Sequence, residues 1–423
     1  MDAKTYKGYL KILGEELLPA MGCTEPISVA YASALAREVL GTLPERVEIS
    51  VSGNILKNVK SVIVPNTGGL KGVCAAAAAG IIAGNSDKKL QVLEGLSEQT
   101  RKDISTFLNS CNFSVMHAQN GCVFDIGIRL FAGNDSAFVR IEGYHTNVVC
   151  VEKNGTELVH NECYKESKLT DRSILNVKDI VEFANTVKLE DVEEVISRQI
   201  EFNSAIAEEG LTNDYGARVG KILLSAYGKN DVHIRARATA AAGSDARMNG
   251  CSLPVVIVSG SGNQGMTASL PVVVYAKHLG VSREKLIRAV TLSDLITIHL
   301  KTGIGRLSAY CGAVSAGAGA GAGICYLYGG SYEDISTTVV NALAIDSGLI
   351  CDGAKSSCAA KIATAVDAGL TGMEMCRQGS EFHGGDGILE SGVEKTIDNV
   401  SDLARIGMRE TDEEIIRLMI KNI

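Results

Sequence analysis

Residues 46–64, RVEISVSGNILKNVKSVIV, mark the point where the sequence changes from a helical to a strand-like pattern. Apolar and polar residues alternate here, and this predicts β-strand. The same alternation occurs in CVFDIGIRLF (122–131), SAFVRIEGYHTNVVCVEKNG (136–155) and TELVHNECY (156–164). Two helical candidates lie between these segments: GVCAAAAAGIIAG (72–84) and SEQTRKDISTFLNS (97–110). Residues from about 44 to 170 are therefore predicted to form an α/β module.

The sequence on both sides of this module is predicted to be helical. Residues 4–42 have a helical pattern with a break at MGCTEP (21–26), and nearly everything after Ser173 reads as helices separated by glycine-rich turns. We therefore predict an α+β fold in which a mostly α-helical domain carries an inserted α/β module. The predicted division is residues 1–43 plus 171–423 for the helical domain and 44–170 for the insertion.

Composition limits the class of protein. The chain has 423 residues, 46% of them hydrophobic, and a net charge of −8, which gives no general attraction to nucleic acid. The N-terminal residues carry charges throughout and have no apolar core of a signal peptide, so we expect a cytoplasmic protein. Twelve cysteines in such a protein are expected to be thiols and not disulfides.

Residues 307–332 contain no charged residue, and a segment of this length could span a bilayer. Its composition argues against a membrane span. Glycine and alanine supply little transfer energy, and small residues spaced along a helix also allow close helix packing inside a protein. We predict a buried core helix here and no membrane partner.

The segment PVVIVSGSGNQGMT (254–267) contains G-x-G-x-x-G directly after an apolar run. In a dinucleotide-binding fold, an acidic residue would follow at the end of a second strand about 20 residues on. The next acidic residue is Glu284, which lies in a helical pattern. The segment is therefore predicted to be an anion-binding turn whose ligand is not a dinucleotide.

Three cysteines stand in unusual surroundings. Cys23 lies in the break at MGCTEP, and Cys311 and Cys351 lie beside glycines at the ends of predicted helices. Three thiolates suit a soft metal, whereas ordinary buried cysteines remain an alternative because the spacing matches no zinc motif. The other cysteines, apart from Cys358, are interpreted as packing residues.

Eight motifs in order resemble the L-cysteine desulfidase family, which is related to the alpha chain of iron-sulfur L-serine dehydratase. They are MGCTEP (21–26), VSGNILKN (51–58), PNTGG (65–69), SDARMNG (244–250), SGSGNQG (259–265), KTGIGRLSAYCGA (301–313), LICDGAKSSCAAK (349–361) and GDGILES (385–391). The resemblance covers essentially the whole chain.

The resemblance implies a four-iron four-sulfur cluster with one iron that lacks a protein ligand. Matched motif by motif, its ligands are Cys23, Cys311 and Cys351, and the role of Cys358 stays open. The implied reaction is β-elimination of L-cysteine to sulfide, pyruvate and ammonia. The open iron would act as a Lewis acid, and no pyridoxal phosphate is then required.

Polar residues in the glycine-rich loops are candidates for binding this amino-acid substrate. Ser261, Asn263 and Gln264 at the turn are expected to bind its carboxylate. The candidates at strand ends, expected to act across the domain interface, are Asn54, Asn66 and Thr67. Each of these residues could instead serve only its own turn.

The base that removes the Cα proton is assigned to Lys301, with His299 as the alternative. Arg247 and Arg306 could pair with the substrate carboxylate or form structural ion pairs. Whether the protein forms a homo-oligomer stays open.

Two other functions remain alternatives at this point. An iron-sulfur L-serine dehydratase would use the same residues on a β-hydroxyl group. A cluster-bearing redox sensor or amino-acid-binding protein would carry out no reaction.

Overall fold

The computed structural model describes residues 1–118, 120–161, 169–305 and 307–420. The helices are α1 (Ala3–Glu16), α2 (Thr24–Leu40), α3 (Gly53–Val59), α4 (Val73–Ala83), α5 (Glu98–Ser110), α6 (Val177–Thr186), α7 (Leu189–Thr212), α8 (Val219–Tyr227), α9 (Val232–Met248), α10 (Gly262–Leu279), α11 (Arg283–Ile304), α12 (Gly312–Leu327), α13 (Tyr332–Asp346), α14 (Cys358–Arg377), α15 (Val393–Asp402) and α16 (Arg409–Ile420). The strands are β1 (Pro19–Met21), β2 (Arg46–Val51), β3 (Asn112–His117), β4 (Asp125–Ala132), β5 (Asp135–Glu142), β6 (Val148–Lys153), β7 (Thr156–His160) and β8 (Pro254–Val256). The predicted α+β fold with a mostly helical part is confirmed.

Six strands form one mixed sheet in the order β3-β2-β4-β5-β6-β7. Strand β2 runs parallel to β3, and the other neighbouring strands are antiparallel. Alternate side chains of β2, those of Val47, Ile49 and Val51, are fully buried. This is the burial that the period-two pattern predicts for a strand with one face against the core.

Helix α2 covers the sheet, since it packs against β4, β5 and α4. The division into residues 1–43 plus 171–423 and residues 44–170 remains a proposal. The packing of α2 favours a boundary before Thr24, which would group this helix with the sheet.

The prediction of strand across residues 46–64 is correct for β2 and wrong for residues 53–59, which form helix α3. All seven residues of α3 are buried, and the apolar residues Ile55, Leu56 and Val59 recur at helical spacing. The apolar positions fit both periods over so short a stretch, and tertiary packing decides between them.

The uncharged segment forms α12, which is buried among α10, α11, α13 and α14. A side chain at Gly317 would lie 2.2 Å from the carbonyl oxygen of Ala365, so glycine is required where α12 and α14 cross. The prediction of a buried core helix is confirmed. Within the described ranges, no helix is long and apolar enough to cross a bilayer.

A two-stranded antiparallel pair, β1 with β8, connects distant parts of the chain. Strand β1 ends just before Cys23, and β8 ends just before the glycine-rich turn. The pair therefore places the MGCTEP break beside that turn, where the Thr24 hydroxyl donates a hydrogen bond to the Gly260 carbonyl at 3.1 Å.

Candidate active site

A cavity of about 110 Å³ lies between α3 and the first residues of α2, α10, α12 and α14. Four cysteines line it: Cys23, Cys311, Cys351 and Cys358. The cavity thus brings together the three ligands that the resemblance implies, Cys23, Cys311 and Cys351, and also Cys358, whose role was left open.

Cys311 and Cys351 are brought together by an antiparallel contact between their segments. Their backbone amides donate to carbonyls of the opposite segment, at 3.0 Å for Cys311 and 2.6 Å for Cys351. The Cys311 thiol donates to the Cys351 sulfur, and this bond lowers the pKa of Cys351 while it raises that of Cys311. The charge of Lys57 lowers the pKa of Cys351 further. The lowered pKa of Cys351 favours its thiolate, which is the form that binds metals.

Cys23 and Cys358 lie together on the other part of the wall. Cys23 packs with Val62 and Met248, and Cys358 is half-buried against this cluster. The Cys23 thiol donates a hydrogen bond to Glu25 Oε2 at 3.1 Å. Burial raises the pKa of both thiols. Both are therefore neutral in the absence of a metal ion or another cation.

Three of these cysteines stand at the beginning of long helices. Cys23 is the N-cap of α2, Cys311 is the N-cap of α12, and Cys358 is the first residue of α14. No N-cap side chain satisfies the first amides of these three helices. The partial positive charge of a helix N-terminus favours a thiolate or another anion. The cavity is therefore favourable for negative charge.

The glycine-rich turn contributes a fourth helix start. The backbone has φ of 48° at Ser259 and 82° at Gly260, and α10 begins at Gly262. A side chain at Gly265 would lie 2.0 Å from the Val256 carbonyl oxygen, so this glycine lets α10 sit against β8. The turn therefore has the strand-turn-helix geometry of an anion-binding site.

The predicted substrate-binding residues of this turn, Ser261, Asn263 and Gln264, all line the cavity. Asn263 Oδ1 accepts a hydrogen bond from Arg247 Nη1 at 3.1 Å. The Gln264 side chain is buried, and its Oε1 has no hydrogen-bond partner among the described residues. An acceptor in that position is available to a ligand with N–H groups.

Positive charges surround the cysteines. The cationic residues on the wall are Lys57, Arg247, Lys301 and Lys361. Arg247 is buried, and its Nε has no hydrogen-bond partner within the described ranges. Glu25 is the one carboxylate among the described lining residues. The excess of positive charge suits thiolates together with a substrate carboxylate.

The two candidate bases lie in different surroundings. Lys301 is buried and lines the cavity near the end of α11. His299 does not line it, and its Nε2 lies 2.7 Å from Glu394 Oε2. The geometry therefore favours Lys301 over His299.

Asn54, Asn66 and Thr67 do not line the cavity. Asn54 donates from Nδ2 to Asp412 Oδ2 at 3.0 Å. Asn66 donates to the Leu93 carbonyl at 2.8 Å, and the Thr67 hydroxyl donates to the Val64 carbonyl at 2.7 Å. These side chains stabilise loops and helix contacts, as turn residues commonly do. Their assignment to substrate binding has no support from the geometry.

The sequence reasoning missed several residues of the cavity wall, among them Lys57, Glu25, Lys361 and His145. Lys57 and Glu25 lie inside two of the quoted motifs, so the motifs themselves carried the signal. His145 lies in the turn between β5 and β6, where its ring packs edge-on against Phe124 at 4.9 Å. No pattern around His145 distinguishes it. Arg306 and Cys163 lie outside the described residues.

No group of three or more His, Cys, Asp or Glu side chains is close enough to hold a single metal ion anywhere in residues 1–118, 120–161, 169–305 and 307–420. The four thiols share a cavity without forming a mononuclear site.

The family model described as serine dehydratase alpha chain matches residues 87–417. The chain belongs to the serine dehydratase alpha chain family. Cys311, Cys351 and Cys358 lie within the matched residues, and Cys23 lies before them. The family relation that the resemblance implied is confirmed, whereas a specific relation to cysteine desulfidases is not established.

Curated relatives from several bacteria have similar sequences along nearly their whole length. A UPF0597 protein of Desulfitobacterium hafniense is 56% identical over 98% of this chain and 97% of its own. A UPF0597 protein of Lachnoclostridium phytofermentans is 51% identical over 98% of this chain and 100% of its own. A UPF0597 protein of Treponema denticola is 46% identical over 100% of both chains. Family membership indicates lyase activity of the serine dehydratase type.

Proposed function

We propose that this protein is an iron-sulfur-dependent L-cysteine desulfidase. The observation that carries the proposal is the group of four thiols in a cationic cavity at the starts of four helices. Thiolates and a substrate carboxylate are all anions, and both the helix N-termini and the lysine and arginine side chains stabilise them.

Cys23, Cys311 and Cys351 would hold the four-iron cluster. The donor set fits this group, since thiolates are the usual ligands of iron-sulfur clusters. A four-iron cluster is wider than one metal ion, so its ligands do not need the close spacing of a mononuclear site. When bound with one iron open, the cluster would supply a Lewis acid for the β-heteroatom.

The glycine-rich turn would orient the amino acid. Backbone amides at the start of α10 can donate to the substrate carboxylate, and the Arg247 guanidinium adds positive charge nearby. The unpartnered Gln264 Oε1 can accept a hydrogen bond from the substrate ammonium. Binding at both ends of the amino acid would fix the direction of its β-carbon.

Lys301 would remove the Cα proton as the Cβ–S bond breaks. The electron pair of the C–H bond forms the Cα=Cβ double bond, and sulfide leaves with the electron pair of the C–S bond. The resulting aminoacrylate takes up a proton and hydrolyses to pyruvate and ammonia. The assignment rests on position, since the buried Lys301 side chain lines the cavity.

L-serine dehydration is the second candidate function, because the matching family is named for serine dehydratase. The two activities would use the same cavity and differ in the leaving atom. A thiol ionises far more readily than a hydroxyl group, and cluster iron favours sulfur ligands. These two reasons support L-cysteine as the better substrate.

The test is to reconstitute the full chain anaerobically with iron and sulfide, and to assay sulfide and pyruvate with each amino acid. Faster release of pyruvate from L-cysteine is expected. Faster turnover of L-serine would reassign the protein as a dehydratase with the same residues. No turnover of either amino acid by protein that contains the cluster would refute both functions.

A further inference from the structure

The C-terminal helix α16 is joined to α3 by one carboxylate that binds two side chains. Asp412 Oδ1 lies 2.5 Å from Lys57 Nζ, and Asp412 Oδ2 accepts from Asn54 Nδ2 at 3.0 Å. Asn54 and Lys57 are three residues apart on α3 and therefore share one side of that helix. Both carboxylate oxygens are thus used, which fixes the orientation of Asp412.

This ion pair is shielded from solvent. The side chain of Lys57 is 1% exposed and that of Asp412 is 15% exposed. A buried ammonium without its carboxylate is strongly unfavourable, so the position of Lys57 depends on Asp412.

The same ammonium reaches the cysteine cavity. Lys57 lines the cavity, and its Nζ lies 3.4 Å from the carbonyl oxygen of Cys351. The backbone on either side of this contact is tightly packed, since a side chain at Gly353 would lie 2.3 Å from the Lys57 carbonyl oxygen. Lys57 is therefore in contact with the segment that carries one of the proposed ligands.

We propose that Asp412 is a positioning residue, which holds the Lys57 ammonium against the Cys351 segment from outside the cavity. This inference rests on the proposed function, because it gives Lys57 the task of offsetting the negative charge of the thiolates and the substrate. It also assigns α16 a place in the active site, although this helix contributes no residue to the cavity wall among the described residues.

The test uses the full chain with Asp412→Asn, Asp412→Glu, Lys57→Met and the double variant Lys57→Met/Asp412→Asn. Glu410→Gln is the matched control, since it removes the same charge from an exposed position on α16. We expect Asp412→Asn to lower kcat on L-cysteine about tenfold or more with a smaller change in KM. Asp412→Glu should recover part of this loss, and Glu410→Gln should behave like the unaltered protein.

A second measurement needs neither iron nor turnover. In cluster-free protein, Asp412→Asn should speed amide hydrogen exchange in α3 and in residues 351–353, whereas Glu410→Gln should not. The double variant should be no worse than Lys57→Met alone in either measurement.

Three results would overturn the inference: unchanged kcat and exchange in Asp412→Asn, equal losses in Glu410→Gln, or additive losses in the double variant. If the unaltered protein with its cluster turns over neither amino acid, the proposed function fails. The exchange measurement then still decides whether Asp412 positions Lys57.

Discussion

Replacing Asn263 by alanine tests the substrate-binding turn most directly. Asn263 lines the cavity at the start of α10, and its Oδ1 accepts from Arg247 Nη1 at 3.1 Å. The replacement removes this acceptor from a buried guanidinium, whose Nε already has no partner among the described residues. It also removes a carboxamide that we expect to contact the substrate carboxylate.

The magnitude follows from the charge of the partner. A hydrogen bond to a charged group contributes about 1.5 to 3 kcal/mol. Since about 1.4 kcal/mol corresponds to a factor of ten, kcat/KM on L-cysteine should fall roughly 10- to 150-fold. Asn263→Asp separates the two roles. It retains an acceptor for Arg247, but its charge repels the substrate carboxylate, so KM should rise while the melting temperature stays near that of the unaltered protein.

The assay is steady-state sulfide release by reconstituted protein, with iron content and melting temperature measured on the same samples. Asn213→Ala is the control, because the side chain of this exposed asparagine, just after α7, bonds only with Glu209 of that helix among the described residues. The reasoning is wrong if Asn263→Ala retains full kcat/KM with normal iron content. It is also wrong if Asn213→Ala loses as much activity.

The remaining predictions concern the cluster, the base, the substrate and a buried acid. Replacing Cys23, Cys311 or Cys351 by alanine should in each case abolish the brown colour of anaerobically reconstituted protein, whereas Cys111→Ala should retain it. Equal iron content in all four variants would contradict the ligand assignment. Lys301→Met should lower kcat by about 100-fold or more with little change in KM, and a variant as active as the unaltered protein would exclude Lys301 as the base. L-cysteine should perturb the visible spectrum of the cluster and L-alanine should not, because L-alanine has no β-heteroatom; an equal response to both would contradict binding through that atom. Burial raises the pKa of Asp294 to about 8, so the stability that its protonated form contributes is fully present below the unfolded pKa and is lost as the pH rises through 8. In denaturant titrations, Asp294→Asn should therefore flatten the fall in unfolding free energy between about pH 4 and 8. An unchanged dependence of this free energy on pH would refute the prediction.

Much of the fold is readable from local pattern. The alanine-rich run and the segment from residue 97 are the helices α4 and α5 as predicted, and the glycine-rich uncharged segment contains the buried helix α12. Each of these has either helical spacing of apolar residues or a length that excludes a strand. Helix α3 could not be separated from strand in this way, because its seven residues fit both periods.

The candidate site was only partly predictable. Glycines and a proline predicted a helix break at Cys23 and helix ends at Cys311 and Cys351. Cys23 and Cys311 do stand at helix ends, whereas Cys351 lies in the segment between α13 and α14. All three line one cavity. Asn54, Asn66 and Thr67 had equally suggestive neighbours, but their partners are in other segments, such as Asp412 and Leu93. A single sequence contains no information on those pairings. For the same reason it did not reveal the contact of Lys57 with the Cys351 segment.

The antiparallel pairing of β1 with β8 has a consequence for how the protein is made. Residues 19–21 find their partners only when residues 254–256 have been synthesised, and Cys351 follows almost a hundred residues later. During translation Cys23 therefore emerges from the ribosome long before the glycine-rich turn, Cys311 and Cys351, which complete the wall of its cavity. If the proposed ligands are correct, iron-sulfur loading would have to wait until synthesis has passed Cys351, and until then the early thiol would depend on the cell to keep it reduced.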